Sequence, residues 1–437
     1  MKKWVYFLLI LFFLVKVNLI FRYHDTRWDE SVFIGMGKYI FSEGESGLWE
    51  SIRPPGLPLV FGLFWKLGLN SIILSELLSI FFAMGCIYFT YLIGNELYNS
   101  KIGFFSALIL SVTPVFFYFS SYGFTGIPST FMALVSIYFF IKKRYFICGV
   151  FSAAALLFRF PQGLLLPIFL FWLYIKNKNK IVSFILGWSS LVIPFFIFNL
   201  FMYQDMFFPF IEASLHQSNI VYSVGSNTFL GLIHNYSFYI IEGLKQNLLF
   251  IFGLFYIFRK KFFIPFLLFA AYFTYIVNKQ VRFLLIYVPY LAIMAGYGIY
   301  FISKKRKFVL LFICLLLLPS LLSIKTQYFW RSHYIPPVDE LHNYFNDKQG
   351  VLLTTYPTPV AYSNIKVIPF YNNVNDAISI FNKEKNNVNY ILYSNDFYPC
   401  YNKDCEKKKE FLFQSIKGEF NLIANYSLDQ EYLIFNK

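Results

Sequence analysis

Charge is scarce in this chain. Only 14% of its 437 residues are Asp, Glu, Lys or Arg, whereas a water-soluble domain carries about 25%. A shortage that deep excludes an ordinary soluble globular protein, because too little of the outside could face water. Acid is scarcer than base, with 23 acidic against 38 basic residues and a net charge of +15. The basic residues sit in short clusters between apolar runs, where they set topology. No aromatic-basic platform for single strands and no zinc-finger spacing occurs, so no nucleic-acid partner is expected. Cysteine is rare too, at five residues, and the spacings exclude a cysteine zinc site. Cys86, Cys148 and Cys314 lie inside apolar runs and read as small core residues. Internal repeats and long disordered linkers are lacking.

Apolar residues are what the chain has in abundance: 57% are hydrophobic and 23% aromatic. Hydrophobic runs of about 17 to 25 residues recur from Trp4 to Ile324, each long enough to cross a bilayer core as a helix. The expected spans are 4–21, 71–93, 103–122, 126–141, 145–158, 161–175, 181–203, 236–258, 262–277, 283–302 and 308–324. The two short runs beside Arg159 read either as spans or as tilted, broken helices. Residues 57–69 read as an interfacial or re-entrant segment. No small-residue cleavage site follows the first run, so it is expected to stay as a helix with its N-terminus inside.

Charge placement supports this count. Lys2-Lys3, Lys101, Lys142-Lys143-Arg144, Lys176/Lys178/Lys180, Arg259-Lys260-Lys261 and Lys304-Lys305-Arg306-Lys307 all fall on one side, which the positive-inside rule makes cytoplasmic. The fold class expected is therefore a polytopic α-helical membrane protein of about eleven transmembrane helices in the cell membrane. Its C-terminus lies outside. Residues 1–324 form the transmembrane domain, with a first external loop (22–56) holding interfacial helices and another external loop at 204–235. Residues 325–437 change character. Val338–Phe345 and Asn375–Lys383 look helical, and Val351–Thr355, Val388–Tyr393, Asn421–Asn425 and Glu431–Phe435 look like strands. That alternation suggests a small extracytoplasmic α/β domain.

The first external loop is the richest in chemistry. It reads Asp25-Thr-Arg27-Trp28-Asp29-Glu30-Ser31 and later Arg53-Pro54-Pro55-Gly56-Leu57-Pro58. Further along come Leu157-Phe-Arg159-Phe-Pro161-Gln-Gly163 and Gln280-Val-Arg282-Phe-Leu-Leu-Ile-Tyr-Val-Pro289. An acidic pair after the first helix, a basic-Pro-Pro segment about twenty residues on, and these two later motifs in order resemble the GT-C superfamily of membrane glycosyltransferases. The branch resembled is that of protein O-mannosyltransferases and lipid A aminoarabinose transferases. The resemblance implies transfer of a sugar from a polyprenyl-phosphate donor to an extracytoplasmic acceptor, which could be protein, lipid or glycan. Several members also carry a terminal α/β domain, which here would help to bind or position the acceptor.

The residue chemistry fits that reaction. A base must take the acceptor's proton, and a carboxylate at the membrane surface can do so. Asp29 is the candidate base, with attack opposite the phosphate inverting the anomeric centre, and Glu30 supports it or contacts the donor. The leaving phosphate needs fixed positive charge, which Arg53, Arg159 and Arg282 at outer helix ends could supply in the planar, two-point manner of guanidinium. Each has a plainer reading. Asp29-Glu30 can be read as no more than the start of an amphipathic helix, where acids suit the dipole; Arg53 reads equally as a snorkelling anchor, and Arg282 beside Lys279 as an ordinary loop residue. Arg159 is harder to dismiss, because a charge between apolar runs is costly unless paired or functional.

One position departs from the family. Where an acidic residue usually precedes Ile-Pro in the second external loop, this chain has Gly126 before Ile127-Pro128. Its loss weakens a metal-assisted route and fits either a changed substrate or lost catalysis. Asp205, Glu212, His216 and His234 match no helical ligand spacing and read instead as lining an acceptor groove or facing water; no cofactor is expected, with a divalent metal the alternative that the spacing does not support. Cys400 and Cys405 lie where oxidation is available, either as a disulfide or as free thiols. Asn235-Tyr-Ser237 and Asn425-Tyr-Ser427 match glycosylation triplets only weakly. Rival readings are a transporter or flippase, against which stand the charges gathered at one surface and the lack of matching halves, and a non-catalytic membrane subunit.

Overall fold

The computed structural model describes residues 1–20, 26–215, 229–256, 267–275, 279–303, 308–333, 339–371, 373–394, 398, 400, 403–427 and 431–437. The basic clusters at 259–261 and 304–307, His216, and the side chains of His234 and Asn235 lie outside the described residues. Two compact units emerge. One comprises Met1–Tyr23, Ser51–Gly56 and Glu76–His333; the other comprises His24–Glu50, Leu57–Ser75 and Tyr334–Lys437. The division is not a single cut at 324/325, since the last apolar helix runs from Phe308 to His333 and most of the first loop belongs with the C-terminal residues.

The first unit is a helical bundle whose helices follow the apolar runs. Lys2–Ile20, Ser71–Leu97 and Lys178–Tyr203 are each long and apolar enough to cross a membrane alone, and shorter apolar helices fill in between. Several of the expected runs divide into shorter helices. The 103–122 run splits into Ser100–Ser111 and Pro114–Phe119, since Pro114 has no N–H to continue the ladder. The 236–258 run splits into Phe229–Gln246 and Phe250–Tyr256. At that break the buried Asn247 side chain accepts from the Leu249 N–H at 3.1 Å and donates to Thr113 Oγ1 at 3.3 Å. The 283–302 run opens as a 3-10 turn, Val281–Ile286, before the helix Val288–Ser303. Each break places polar backbone at a bend that side chains or turn bonds satisfy, as an apolar setting requires.

The second unit holds a five-stranded sheet ordered β2-β1-β3-β5-β4. The strands are β1 (Val351–Thr354), β2 (Lys366–Pro369), β3 (Tyr390–Tyr393), β4 (Asn421–Ser427) and β5 (Glu431–Asn436). β1 pairs in parallel with β2 and β3, while β5 runs antiparallel between β3 and β4. β2 was not expected: it is a four-residue edge strand ending at a proline, too short to show alternation. The helices Val374–Glu384 and Lys403–Glu419 bury Val374, Ala377, Phe381, Leu412 and Ile416 with Leu353, Ile391 and Phe435 of the sheet. The spacing of those apolar helix residues is the one-faced stripe that a sheet-covering helix needs.

The first loop is built into this unit. Its helix Trp28–Phe41 crosses the helix Gly56–Lys66 at two glycines: a Cβ on Gly37 would lie 2.5 Å from the Gly62 nitrogen and the Pro58 oxygen. Gly47, at φ +83°, then pairs in parallel with Lys366 at the sheet edge. Its N–H donates to Ile365 O at 3.2 Å and its oxygen accepts from Val367 N–H at 2.8 Å.

Candidate functional site

The candidate residues divide between the units, with the carboxylates in one and the guanidinium groups in the other. Asp29 and Glu30 open the helix Trp28–Phe41, both in its first turn, where the positive end of the dipole favours carboxylates. The plainer reading of this pair thus holds structurally, and it leaves a chemical role open. Asp29 is half-buried. Glu30 is buried at 1% exposure and accepts a 2.5 Å hydrogen bond from Ser75 Oγ. The indole of Trp28 meets Tyr371 edge-on at 4.7 Å between ring centres and Tyr356 at 6.0 Å. Tyr371 in turn donates its hydroxyl to Glu50.

The three arginines lie in the other unit. Arg53 is half-buried in the turn that Pro54-Pro55 stiffens. That turn lies hard on the segment before Arg159, since a Cβ on Gly56 would be 2.7 Å from Leu157 O. Arg159 itself is extended, at φ −160° and ψ 115°. It ends the helix Tyr145–Phe158 and opens the 3-10 turn Phe160–Leu164. Its guanidinium lies over the Phe283 ring, 5.1 Å from the centre. Its Nη1 would be 3.4 Å from a Cβ on Gly126. Arg282, the residue before Phe283, lies over Phe124 at 5.5 Å and donates to Gln280 Oε1.

Three lysines matter that sequence reasoning passed over. Lys279, set down as a sign of an ordinary loop, sits over the Tyr239 ring at 5.4 Å and donates to Phe273 O at 3.0 Å; burial lowers its ammonium to about 8. Tyr239 also lies within electrostatic reach of Arg159. Lys279 therefore belongs to the same basic, aromatic-lined cluster. Lys16, inside the first apolar helix, is fully buried, donates to Phe117 O, and lies 3.6 Å from the Phe117 ring centre. Lys38 is 3% exposed, and its ammonium donates to Val360 O at 2.8 Å, Ala361 O at 3.1 Å and Ser363 O at 2.7 Å. Burial lowers it to about 7, while three carbonyl oxygens at a helix end favour the charged form. A lone Lys in the apolar stretch Val32–Phe41 was the available signal.

Other expected features fall elsewhere. Cys400 and Cys405 are bonded to each other, beside the start of the helix Lys403–Glu419. Among the described residues, no group of three or more His, Cys, Asp and Glu side chains could hold a metal ion. Asp205 accepts from the Phe207 N–H at 2.8 Å, a local turn bond.

Residues 52–203 match the family model described as dolichyl-phosphate-mannose-protein mannosyltransferase, a stretch that includes Arg53, Gly126 and Arg159. No curated protein matches the chain by sequence. Among solved structures, ArnT from Cupriavidus metallidurans bound to undecaprenyl phosphate is similar at a TM-score of 0.66 and 11% identity, covering 99% of this chain and 98% of that one. The archaeal oligosaccharyltransferase AglB from Archaeoglobus fulgidus, in complex with an inhibitory peptide and a dolichol-phosphate, has a TM-score of 0.59 at 13% identity. That match covers 90% of this chain and 70% of the other. The resemblance read from the sequence is borne out in its coarse form: this is a membrane protein whose fold is similar to those of ArnT and AglB, and whose residues 52–203 match the dolichyl-phosphate-mannose-protein mannosyltransferase model.

Proposed function

We propose that the protein is a glycosyltransferase that moves a sugar from a polyprenyl-phosphate donor to an acceptor at the outer face of the cell membrane. The observation that carries this reading is the cluster in which Arg159 and Arg282 lie over Phe283 and Phe124, with the Arg53 turn packed beside Leu157. A ring under the face of a guanidinium fixes its plane, and the N–H donors in that plane have the geometry that phosphate takes in two-point contact. Similar folds bind such lipids: the matched ArnT structure holds undecaprenyl phosphate, and one of AglB holds dolichol-phosphate.

In this reading Asp29 takes the proton from an acceptor hydroxyl or amine, and the acceptor atom attacks the anomeric carbon from the face opposite the phosphate. The bond from the anomeric carbon to the phosphate oxygen breaks, the polyprenyl monophosphate leaves, and the anomeric centre inverts. Arg53, Arg159 and Arg282 stabilise the charge that grows on the leaving phosphate, and Glu30, held by Ser75, supports Asp29. A monophosphate needs less neutralisation than a diphosphate, so no step is routed through a metal. The N-terminus is cytoplasmic and the carboxylates are outside.

Gly126 favours one second reading, a subunit that binds the lipid without turning it over, because the resemblance implies an acid at that position. Binding of polyprenyl phosphate to purified protein tests the shared part of both. Arg159→Ala with Arg282→Ala should weaken it about tenfold or more, and unchanged binding would remove the arginines from the phosphate site.

A further inference from the structure

We infer that the C-terminal sheet domain is a clamp for the helix that carries Asp29 and Glu30, with Lys38 as its central positioning residue. The inference rests on the reading of Asp29 as the base, and it assigns the domain a task other than acceptor binding.

Four independent attachments hold the helix Trp28–Phe41 within its unit. The first is Lys38, whose three ammonium hydrogens go to three carbonyl oxygens, those of Val360, Ala361 and Ser363. These oxygens end the short helix Pro359–Tyr362, the negative end at which a cation is favoured. The second is close packing: a Cβ on Gly35 would lie 2.8 Å from Val360 Cγ1, so the Val360 side chain sits directly on the backbone of the helix at this glycine. The third grips the segment just before the carboxylates. The Tyr362 hydroxyl lies 3.3 Å from both the N–H and the Oγ1 of Thr26, and its ring is stacked on His342 at 4.1 Å. The fourth is the strand-like pairing of Gly47 with Lys366 at the β2 edge, continued by the Leu48 N–H donating to Gly35 O at 3.2 Å.

These attachments act at both ends of the helix and at its middle. Such an arrangement fixes axial position and rotation together, which is what a base needs to stay within about half an ångström of its working geometry. A lysine buried among carbonyls is costly unless every donor is used, and here every donor is used. The cost is accepted at a residue two to three turns from the carboxylates, on the helix that carries them.

Two variants test the clamp: Lys38→Met, which keeps the length and loses the donors, and Tyr362→Phe, which loses only the hydroxyl. Hydrogen–deuterium exchange of residues 26–48 in the purified full chain reads the anchorage without any need for turnover. Donor turnover, with polyprenyl-phosphate binding measured beside it, reads its consequence. The clamp requires at least tenfold faster exchange of this segment in Lys38→Met, a smaller increase confined to residues near Thr26 in Tyr362→Phe, and kcat lowered about tenfold or more at unchanged lipid affinity. Unchanged exchange in both variants would overturn the anchorage. Faster exchange with unchanged kcat would overturn the positioning role. Should the wild type turn over no donor, the enzymatic reading fails and the positioning role with it, while the exchange data still decide the anchorage.

Discussion

The Nη1 atom of Arg159 lies 3.4 Å from where a Cβ on Gly126 would stand. Arg159 is thus packed against the position at which the resemblance read from the sequence implies an acid. A glycine there adds no negative charge beside the guanidinium, and the helix that begins at Gly126 presents its positive end instead. The replacement therefore shifts the local balance toward anion binding.

This relationship sets up a paired substitution. Gly126→Asp should bring a carboxylate to Arg159 and weaken polyprenyl-phosphate binding by about tenfold or more. Gly126→Ala should leave it within about threefold, because the nearest atom, Leu285 Cδ1 at 2.8 Å, is the movable end of a side chain. Equilibrium binding by native mass spectrometry checks both.

The glycine crossing in the first loop should tolerate no side chain. In Gly37→Ala the new Cβ would meet the Gly62 nitrogen and Pro58 oxygen at 2.5 Å, and backbone atoms cannot step aside as a side chain can. The expected cost is about 1–3 kcal/mol, read as a lower midpoint of thermal unfolding.

Acid should loosen the C-terminal unit through His342. It is 2% exposed, stacked on Tyr362, and shares a 3.0 Å hydrogen bond with Thr358 Oγ1. Burial lowers its imidazolium to about 4, against about 6.5 in an unfolded chain. Between those values the unfolded state binds more protons, so the stability contributed is full above about pH 6.5 and lost as pH falls through about 4. The difference is about 3 kcal/mol. Exchange protection of residues 339–371 should fall over this window, and His342→Gln should flatten the fall.

The helices were legible in the sequence wherever an apolar run was uninterrupted, as at Ser71–Leu97 or Gly126–Ile141. Breaks were not, because a hydropathy window averages over Thr113-Pro114 and over Asn247. Arg159 stood out because a cation between apolar runs has few bland explanations. Lys38 and Lys16 did not, since a single lysine in a run reads as a surface residue until the carbonyls that receive it come from distant sequence. Phe117 is 101 residues from Lys16, and Val360 is 322 from Lys38. Local pattern carries no information about such partners. The same holds for β2, whose identity depends on its pairing with β1 and with Gly47.

Donor turnover by the purified protein in liposomes, comparing wild type with Asp29→Asn, tests the central claim most directly. Radiolabelled polyprenyl-phosphate sugars would be supplied with a membrane extract as the source of acceptor. The expected result is sugar transfer and lipid-phosphate release by the wild type, reduced about a hundredfold or more in the variant, with lipid binding retained. Equal rates in the two proteins would contradict Asp29 as the base, and absence of turnover with any donor, alongside tight lipid binding, would contradict the enzyme itself.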